Sequence, residues 1–473
     1  MLNFLIFLIF TIYNEKLWTN YLAVDTVLTI TGNERIVYVG TSYGILLFDA
    51  QKIRYLKTLT KFDGILESLK FVAYDREINS LWLLDKNFLM NYNPFTKKKE
   101  LFKLNITPKA IGVGKHFLYF IANGDTYQWD KKKKRLLKIE KTKDTTIFWY
   151  GEKKKYLPQN FPFLTPYYYM DENLEKYFYK ELFLTNRNLW VSANGYGILV
   201  FDRITKNLIK IFPFNNRLGK IRKILKFENN LWLIGERCFV KTDSEISKWR
   251  FFSLEYNKFY EEKEPLLKYK FLEIFLKKGF SSFANLKNSF AFVSEKNIYL
   301  FLEDYKEPIE LEVPFEIENL YFLKDTLIIL TKEGIYFFDY KNNILSDFSR
   351  QPPEAKFGVF SFLPMKEEYY FGVRGGFLIY KNQRWEKVII PIRDLSIPIR
   401  ELTNFDNYLI TKIDNQIIFF DTKKRFFQFL TKEDGLIGED IYSIKVDNNK
   451  LWISHEKGIS LYDLTFLKKK IKK

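Results

Sequence analysis

Residues with catalytic or metal-binding chemistry are scarce in this sequence. Its 473 residues include two histidines, His116 and His455, and one cysteine, Cys238. Most zinc sites need grouped histidine or cysteine ligands, and histidine is the commonest general base near neutral pH. The counts therefore exclude most zinc centres, most histidine-dependent catalysis and any intramolecular disulfide bond. No phosphate-binding loop, HExxH or CxxC motif occurs.

One hydrolase-like motif is present at residues 40–44, which read Gly-Thr-Ser-Tyr-Gly and match the G-x-S-x-G nucleophile elbow. That elbow requires a strand-to-helix turn and an acid and a histidine later in the chain. Here strand-like segments lie on both sides of the serine, and His455 lies in a similar segment much later. We interpret the match as a turn, and we predict no catalytic residue, no metal site and no cofactor.

A repeated phrase organises the chain. Its clearest copy, residues 189–202, reads LWVSANGYGILVFD, with two short apolar runs flanking a turn that contains Asn194, Gly195 and Gly197. Strand-forming residues on both sides of glycine and asparagine predict a β-hairpin, because those two residues tolerate positive φ. Ten copies occur, ending at Asp49, Asn93, Asp130, Asp202, Asp243, Leu302, Asp339, Lys381, Asp421 and Asp463.

The aspartates that end the copies could also be considered as catalytic carboxylates, since glycosidases use pairs of acids. They recur in copy after copy of the phrase, however. Aspartate also favours turns, because its side chain accepts hydrogen bonds from the backbone N–H groups that follow it in sequence. We therefore predict a turn role for Asp49, Asp202, Asp339, Asp421 and Asp463.

The spacing of the copies indicates the fold. Most copies end about 40–45 residues after the previous one, which is typical of a four-stranded β-propeller blade. The sequence predicts an all-β fold, a β-propeller of about ten four-stranded blades. Closed propellers usually have about four to eight blades, so ten copies predict either two propellers or one large ring. Two propellers are favoured, with the boundary in a long interval between copies, 130–202 or 243–302.

The phrase resembles the repeat of the two-component-regulator propeller family, (L/I)-W-(I/V)-G-T-x-x-G-(I/L)-x-x-(Y/F)-D followed by a Gly-Leu turn. Residues 36–49, 189–202 and 451–463 carry it, and the turn T-K-x-D-G-(I/L) occurs at 60–65 and 431–436. The family is found in bacterial extracytoplasmic sensor regions and in secreted propeller proteins, including some tied to type IX secretion. Sensor members continue into a transmembrane helix and a kinase module, whereas this sequence ends in KKKIKK. Signalling by this polypeptide alone is therefore not expected.

The predicted organisation has four parts. Residues 1–17 hold an apolar run that suits a signal segment, with a buried first strand as the alternative. Residues 18–143 contain the first three blades, and residues 144–188 are a linker, rich in proline and aromatic residues, or a degenerate blade. Residues 189–473 contain the remaining blades, a helical insertion at 255–280 with its helix near 261–279, and a basic tail. Residues 18–21 are predicted to pair with the last blade, which would remove an exposed sheet edge.

Lysines cluster after the repeat-end positions, in a chain with a formal net charge of +18. We predict that they lie in the turns between third and fourth strands and form a basic rim on one face. This rim would be a seat for an acidic glycan or lipid headgroups, and ordinary solubility is the alternative interpretation. The basic rim consists of Lys97, Lys98, Lys131, Lys132, Lys423 and Lys468.

The turns between second and third strands should lie on the opposite face. Tyr43, Tyr196, Arg374 and His455 are the ligand-binding candidates there, because tyrosine and arginine are common anchors in binding sites. Ordinary turn residues are the alternative interpretation.

The sequence therefore predicts a non-enzymatic, exported propeller, periplasmic, cell-surface or secreted, that acts as a binding or assembly scaffold at the cell envelope. Its expected partner is a protein, an acidic glycan or the envelope surface, with no nucleic acid and no transmembrane span in the mature chain. One alternative is a ligand-binding sensor module that works with a separate signalling chain. A second alternative is a propeller glycosidase or lyase.

Overall fold

A computed structural model describes the following parts of the chain: residues 17–22, 27–140, 142, 146–151, 156–170, 176–213, 221, 223–227, 230–235, 238–243, 249–253, 281–286, 289–302, 308–348 and 350–467. The predicted helix at 261–279, Lys468 of the basic rim and residues 1–16 of the predicted signal segment lie outside the described residues.

The described residues form 42 strands in ten antiparallel sheets, eight with four strands and two with five. The all-β prediction with about ten blades is confirmed. Isoleucine, valine, phenylalanine and tyrosine favour strands because their side chains pack well on a pleated surface. In blade 4 the second and third strands are buried along nearly their whole length, and they correspond to the clearest copy of the repeated phrase.

The first four sheets are numbered blades 1 to 4 in chain order. Blade 1 contains β2 (Val27–Gly32), β3 (Ile36–Thr41), β4 (Gly44–Asp49) and β5 (Arg54–Leu59), and blade 2 contains β6 (Phe71–Asp75), β7 (Ser80–Asp85), β8 (Phe88–Tyr92) and β9 (Lys99–Lys103). Blade 3 contains β10 (Ala110–Val113), β11 (Phe117–Ala122), β12 (Asp125–Asp130), β13 (Arg135–Ile139) and β14 (Phe148–Gly151), and blade 4 contains β15 (Tyr168–Met170), β16 (Lys176–Leu184), β17 (Asn188–Ala193), β18 (Gly197–Asp202) and β19 (Leu208–Pro213).

Six further sheets follow as blades 5 to 10. Blade 5 contains β20 (Lys223–Phe227), β21 (Asn230–Ile234), β22 (Cys238–Asp243) and β23 (Trp249–Ser253); blade 6 contains β24 (Ser282–Leu286), β25 (Ser289–Ser294), β26 (Asn297–Phe301) and β27 (Ile309–Glu312); blade 7 contains β28 (Ile317–Leu323), β29 (Thr326–Thr331), β30 (Ile335–Asp339) and β31 (Ile344–Asp347). Blade 8 contains β32 (Ser361–Met365), β33 (Glu368–Val373), β34 (Gly376–Lys381) and β35 (Arg384–Ile389), and blade 9 contains β36 (Leu402–Phe405), β37 (Tyr408–Ile413), β38 (Gln416–Asp421) and β39 (Phe426–Leu430). Blade 10 contains β40 (Ile441–Asp447), β41 (Lys450–His455) and β42 (Gly458–Asp463), and its sheet also includes β1 (Trp18–Leu22).

Short 3₁₀ turns connect some of these strands. They span Lys61–Asp63, Pro158–Asn160, Pro162–Leu164, Pro353–Phe357 and Lys432–Asp434. The first and last are the two copies of the T-K-x-D-G turn. Each ends in a glycine with left-handed backbone, Gly64 at φ 89° and Gly435 at φ 109°, which explains the requirement for glycine there.

The repeat-end aspartates act as the sequence predicts, as turn residues. Asp49 accepts hydrogen bonds from the backbone N–H groups of residues 51 and 52 at 3.0 and 2.9 Å. Asp202, Asp339 and Asp421 accept the same pair of bonds in their own turns. These contacts satisfy backbone donors that would otherwise depend on water.

The chain divides into two compact units. The N-terminal unit contains residues 13–217 and 457–461, and the C-terminal unit is built mainly from residues 218–456. The division at 217/218 falls between the fourth and fifth copies of the repeat, within neither of the two long intervals.

Blades 5 to 9, with β40 and β41 of blade 10, belong to the C-terminal unit and close into a ring. The first strands β20, β24, β28, β32, β36 and β40, here called the inner circle, contact one another in that order, and β40 contacts β20. Polar side chains join successive first strands: Ser282 Oγ accepts from Leu320 N at 3.1 Å, and Ser443 Oγ accepts from Ile224 N at 3.3 Å. The second of these bonds links the last blade to the first.

The apolar core of the ring lies between neighbouring sheets. Blades 6 and 7 share one buried cluster, blades 7 and 8 a second, and blades 8 and 9 a third. Each blade is therefore stabilised mainly by its two neighbours, as expected for a repeat protein.

The N-terminal unit contains blades 1 to 4. Blade 2 packs between blades 1 and 3, and blade 4 packs against blade 1, where the rings of Phe48 and Trp190 lie 5.5 Å apart. The described residues of the segment 144–188 join neighbouring sheets: they supply β14, the fifth strand of blade 3, and β15 and β16 of blade 4.

The predicted pairing of residues 18–21 with the last blade is confirmed, because β1 lies beside β42. Asn20 is buried in this contact, and its Oδ1 accepts a hydrogen bond from Ser460 Oγ at 2.6 Å. Its backbone carbonyl accepts from the hydroxyls of Tyr55 and Thr58.

Asn20→Ala tests this contact. Removing the amide deletes the buried hydrogen bond from the Ser460 hydroxyl to Asn20 Oδ1, so the free energy of unfolding should fall by about 1–3 kcal/mol. Thr19→Ala, on the opposite face of the same strand, is the control and should change stability by less than about 0.5 kcal/mol. Equal losses in the two variants, measured by guanidinium unfolding, would show that Asn20 has no special role.

A candidate anion-binding site in the six-bladed ring

The centre of the ring is lined by the inner circle. Side chains alternate along a strand, and in blade 2 the two alternating sets pack against the preceding and the following sheet. Charged residues lie in the first strands of blades 5 and 10 and directly before the first strand of blade 9. These residues, with one lysine on β37 and one serine on β40, form the central cluster: Lys223, Glu401, Lys412, Ser443 and Lys445.

Glu401 is the carboxylate of the central cluster and comes directly before β36. Its Oε1 accepts a hydrogen bond from Ser443 Oγ at 2.6 Å, and its Oε2 accepts from Ile444 N at 3.0 Å. Both partners belong to β40 of the next blade. The side chain therefore joins blade 9 to blade 10, and both of its oxygens are occupied by these bonds.

Two lysines of the cluster donate to backbone carbonyls of neighbouring blades. Lys412 lies on β37, and its ammonium donates to the carbonyl of Ile441 in blade 10 at 2.9 Å. Lys223 begins β20, and its ammonium donates to the carbonyl of Phe283 in blade 6. The same ammonium lies 5.9 Å from the centre of the Tyr321 ring.

Lys445 is different, because its ammonium makes no hydrogen bond or ion pair with any residue that the structure describes. It lies on β40, two residues after Ser443. Its charge is influenced by Glu401 and Asp447, which favour the ammonium form, and by Lys226, which opposes it. Asp447 is itself bonded to Lys226, so Lys445 is a half-buried cation with no hydrogen-bond acceptor among the described residues.

Burial shifts the pKa values of the cluster toward the neutral forms. It lowers the pKa of Lys223 to about 8, although the Glu401 carboxylate opposes the shift. It also lowers the pKa of Lys445. The same cause raises the pKa of Glu401, against the attraction of Lys412 and the two hydrogen bonds from β40. Three lysines thus surround one carboxylate in poorly solvated surroundings, which is an arrangement that favours an added anion.

A second group of charged residues lies in blades 7 to 9. One of its members, Arg400, directly precedes Glu401 of the central cluster in sequence. Glu318, whose side chain is 8% exposed, pairs with Arg400 at 2.7 Å. The guanidinium of Arg400 and that of Arg374 lie 5.2 and 5.3 Å from the centre of the Phe360 ring. Arg374 also donates to the carbonyl of Ser396 at 2.7 Å. Arg374, one of the four ligand-binding candidates, is therefore exposed but held in place.

The other three candidates have different surroundings. Tyr43 is 46% exposed in the turn between β3 and β4, with the Lys457 ammonium 6.0 Å from its ring. Tyr196 is buried, and its ring lies 4.8 Å from the rings of both Tyr169 and Tyr177. His455 is the last residue of β41 and is 3% exposed. Tyr43 and Arg374 alone among the four present their side chains to solvent.

The described lysines of the basic rim lie in turns between third and fourth strands. Lys97 and Lys98 lie between β8 and β9, Lys131 and Lys132 between β12 and β13, and Lys423 between β38 and β39. All are exposed except Lys131, which forms a buried ion pair with Asp75 at 2.6 Å. The first four belong to the N-terminal unit and Lys423 to the C-terminal unit.

Sequence reasoning missed the central cluster. The cluster could have been found by comparing equivalent positions of the repeats. Lys223, Glu401 and Lys445 each lie in or beside a first strand, at positions where other blades carry serine, asparagine or an apolar residue. The prediction relied on the hairpin of strands two and three, which contributes one member of the cluster, Lys412 on β37.

The described residues show neither a grouped set of metal ligands nor a membrane-spanning helix. They contain no group of three or more histidine, cysteine, aspartate or glutamate side chains placed to hold a metal ion. They also contain no helix that is long and apolar enough to cross a membrane.

Comparisons with known proteins add little about function. No protein-family model and no curated protein matches the chain. A crystal structure of the extracellular domain of a putative one component system from B. thetaiotaomicron is 11% identical with a TM-score of 0.35, over 93% of this chain and 69% of that one. A catalytically inactive virginiamycin B lyase from Staphylococcus aureus with quinupristin is 10% identical with a TM-score of 0.37, over 63% of this chain and 98% of that one. Values this low do not indicate a shared ligand or activity.

Lys445→Met tests whether this cation costs stability. Methionine keeps the length of the side chain and removes a charge that has no hydrogen-bond partner among the described residues, so the free energy of unfolding should rise by about 1 kcal/mol or more. Lys450→Met, in the exposed first position of β41, is the control and should change it by less than about 0.5 kcal/mol. A clear loss of stability in Lys445→Met, measured by thermal or denaturant unfolding, would mean that the ammonium has a stabilising partner.

Proposed function

We propose that the chain is an exported, non-enzymatic binding domain whose six-bladed ring takes a small carboxylate or phosphate anion at the central cluster. The observation that carries this proposal is the ammonium of Lys445, which has no partner among the described residues and lies in poorly solvated surroundings with Lys223 and Lys412. An anion would give the Lys445 ammonium a charge-assisted hydrogen bond and would add a charged acceptor for Lys223 and Lys412.

The carboxylates near the cluster support binding rather than hydrolysis. A glycosidase needs two acids on opposite sides of the scissile bond. Glu401 is bonded by Ser443 and Ile444, Glu318 by Arg400, and Asp447 by Lys226. Each of these three acids is therefore engaged in a structural bond within the ring, and they do not form a general acid–base pair.

The position of the cluster favours a sensor over a passive scaffold. Its side chains come from blades 5, 9 and 10, and the contact between blades 10 and 5 closes the ring. An anion bound by Lys223 and Lys445 would bridge that contact, so occupancy and ring closure would be coupled. Such coupling is what a ligand-binding sensor module needs, whether its output passes to a separate signalling chain or to an envelope partner.

Thermal unfolding with added anions tests the proposal. Inorganic phosphate, citrate and pyruvate are suitable probes, because a ligand that binds the folded state raises the unfolding midpoint with the logarithm of its concentration above Kd. At least one should raise the midpoint of the natural protein and of Lys450→Met, and should lose most of that effect in Lys445→Met and Lys223→Met. An equal rise in all four proteins would indicate a general salt effect, and no rise with any probe would count against the site.

Anion affinity should also depend on pH. Lys223 carries its charge below a pKa of about 8, so affinity should be greatest below that pH and should fall as the pH rises through it. Binding should raise this pKa and take up a proton, which calorimetry in buffers of different ionisation enthalpy can measure. Lys223→Met should bind more weakly and lose the change near pH 8, whereas an unaltered pH profile in that variant would assign the titration to another group.

A further inference from the structure

A second candidate site lies in the N-terminal unit and is independent of the ring. Blades 2 and 3 enclose a groove of about 730 Å³. We propose that this groove, here called the lysine groove, binds an acidic polysaccharide chain. Its lining lysines come from three turns: Lys98, Lys99, Lys115, Lys132, Lys133 and Lys134.

The groove rests on a buried ion pair. Lys131 pairs with Asp75 at 2.6 Å, with their side chains 10% and 0% exposed. The same ammonium donates to the carbonyl of Gly114 at 2.6 Å, and Asp75 accepts from Trp82 Nε1 at 2.9 Å. Lys131 thereby ties the turn between β12 and β13 to the floor of blade 2. The neighbouring lysines are held on this fixed turn and converge on the groove.

The acids of the groove do not neutralise its lysines. Glu100 pairs with Lys134 at 2.6 Å. Asp130 accepts from the backbone N–H groups of Lys132 and Lys133, both at 2.9 Å, so its carboxylate serves its own turn. Glu77 is the third acid that lines the groove, against seven lining lysines. The groove therefore carries an excess of positive charge.

The shape and the apolar surface of the groove select among polyanions. Ile78 is 46% exposed, and half-buried Phe117 lies edge-on to the exposed His116 ring at 6.4 Å. Sugar rings can pack their C–H faces on such surfaces while their carboxylate or sulfate groups meet the lysines. A flat lipid surface does not enter a concave groove, and single-stranded nucleic acid prefers rows of exposed aromatic rings for base stacking. An acidic polysaccharide fits both features.

Binding of fluorescently labelled polygalacturonate to the full chain tests the proposal. The groove variant is Lys98→Gln with Lys132→Gln and Lys133→Gln, and the control is Lys52→Gln with Lys109→Gln and Lys206→Gln, three exposed lysines of the same unit outside the groove. Both variants lose three charges, so only location differs. Affinity should fall roughly tenfold in the groove variant and less than about twofold in the control. Binding by the natural protein should weaken steeply with added salt.

Three results would overturn the proposal. Equal weakening in both variants would show that overall charge binds the polymer, and no binding of polygalacturonate or dextran sulfate would exclude the ligand class. Loss of binding to anionic vesicles or single-stranded DNA in the groove variant, with polysaccharide binding intact, would assign the groove to those partners. Lys445→Met should bind polygalacturonate normally, so failure of the ring site and failure of the groove can be told apart.

Discussion

The ring of the C-terminal unit depends on hydrogen bonds between the first strands of neighbouring blades. Glu401 accepts from Ser443 and from Ile444 N, and Ser443 in turn accepts from Ile224 N. This chain runs from blade 9 through blade 10 to blade 5, where the ring closes. The apolar clusters between sheets supply most of the stabilisation, but they are non-directional. The polar bonds fix how the blades meet.

Because Glu401 takes part in these hydrogen bonds, a negative charge lies inside the ring. Three lysines lie around this carboxylate. Lys223 and Lys412 bond to carbonyl groups and lie near the carboxylate, whereas Lys445 has no bonding partner among the described residues. A poorly solvated cation destabilises the fold by itself. Such costs are common at functional sites, where a stability optimum and a binding optimum differ. The side chains that join the blades are therefore close to those that we propose to bind the anion.

Lysine has two roles in the N-terminal unit, and burial decides between them. Lys131 is 10% exposed and serves as a structural cation for Asp75, whereas Lys132 and Lys133, next in the same turn, remain at the surface. The turn conformation comes from Asp130, which bonds the backbone of those two residues. The segment from Asp130 to Lys133 thus contributes a buried ion pair, a fixed turn and two exposed positive charges that can bind a polyanion.

The sequence alone determined the features that depend on neighbours in the chain. Turns at Asp49, Asp202 and Gly64 form through contacts within three residues, so the hairpins, the period and the number of blades could be predicted. Tertiary structure decided which blades close a ring, which blades take the strands of residues 144–188, and the burial of Tyr196 and His455. It also brought together Lys223, Glu401 and Lys445, which are separated by up to about two hundred residues. Contacts between residues so far apart in sequence depend on how whole sheets pack. A local pattern of residue types therefore does not predict them.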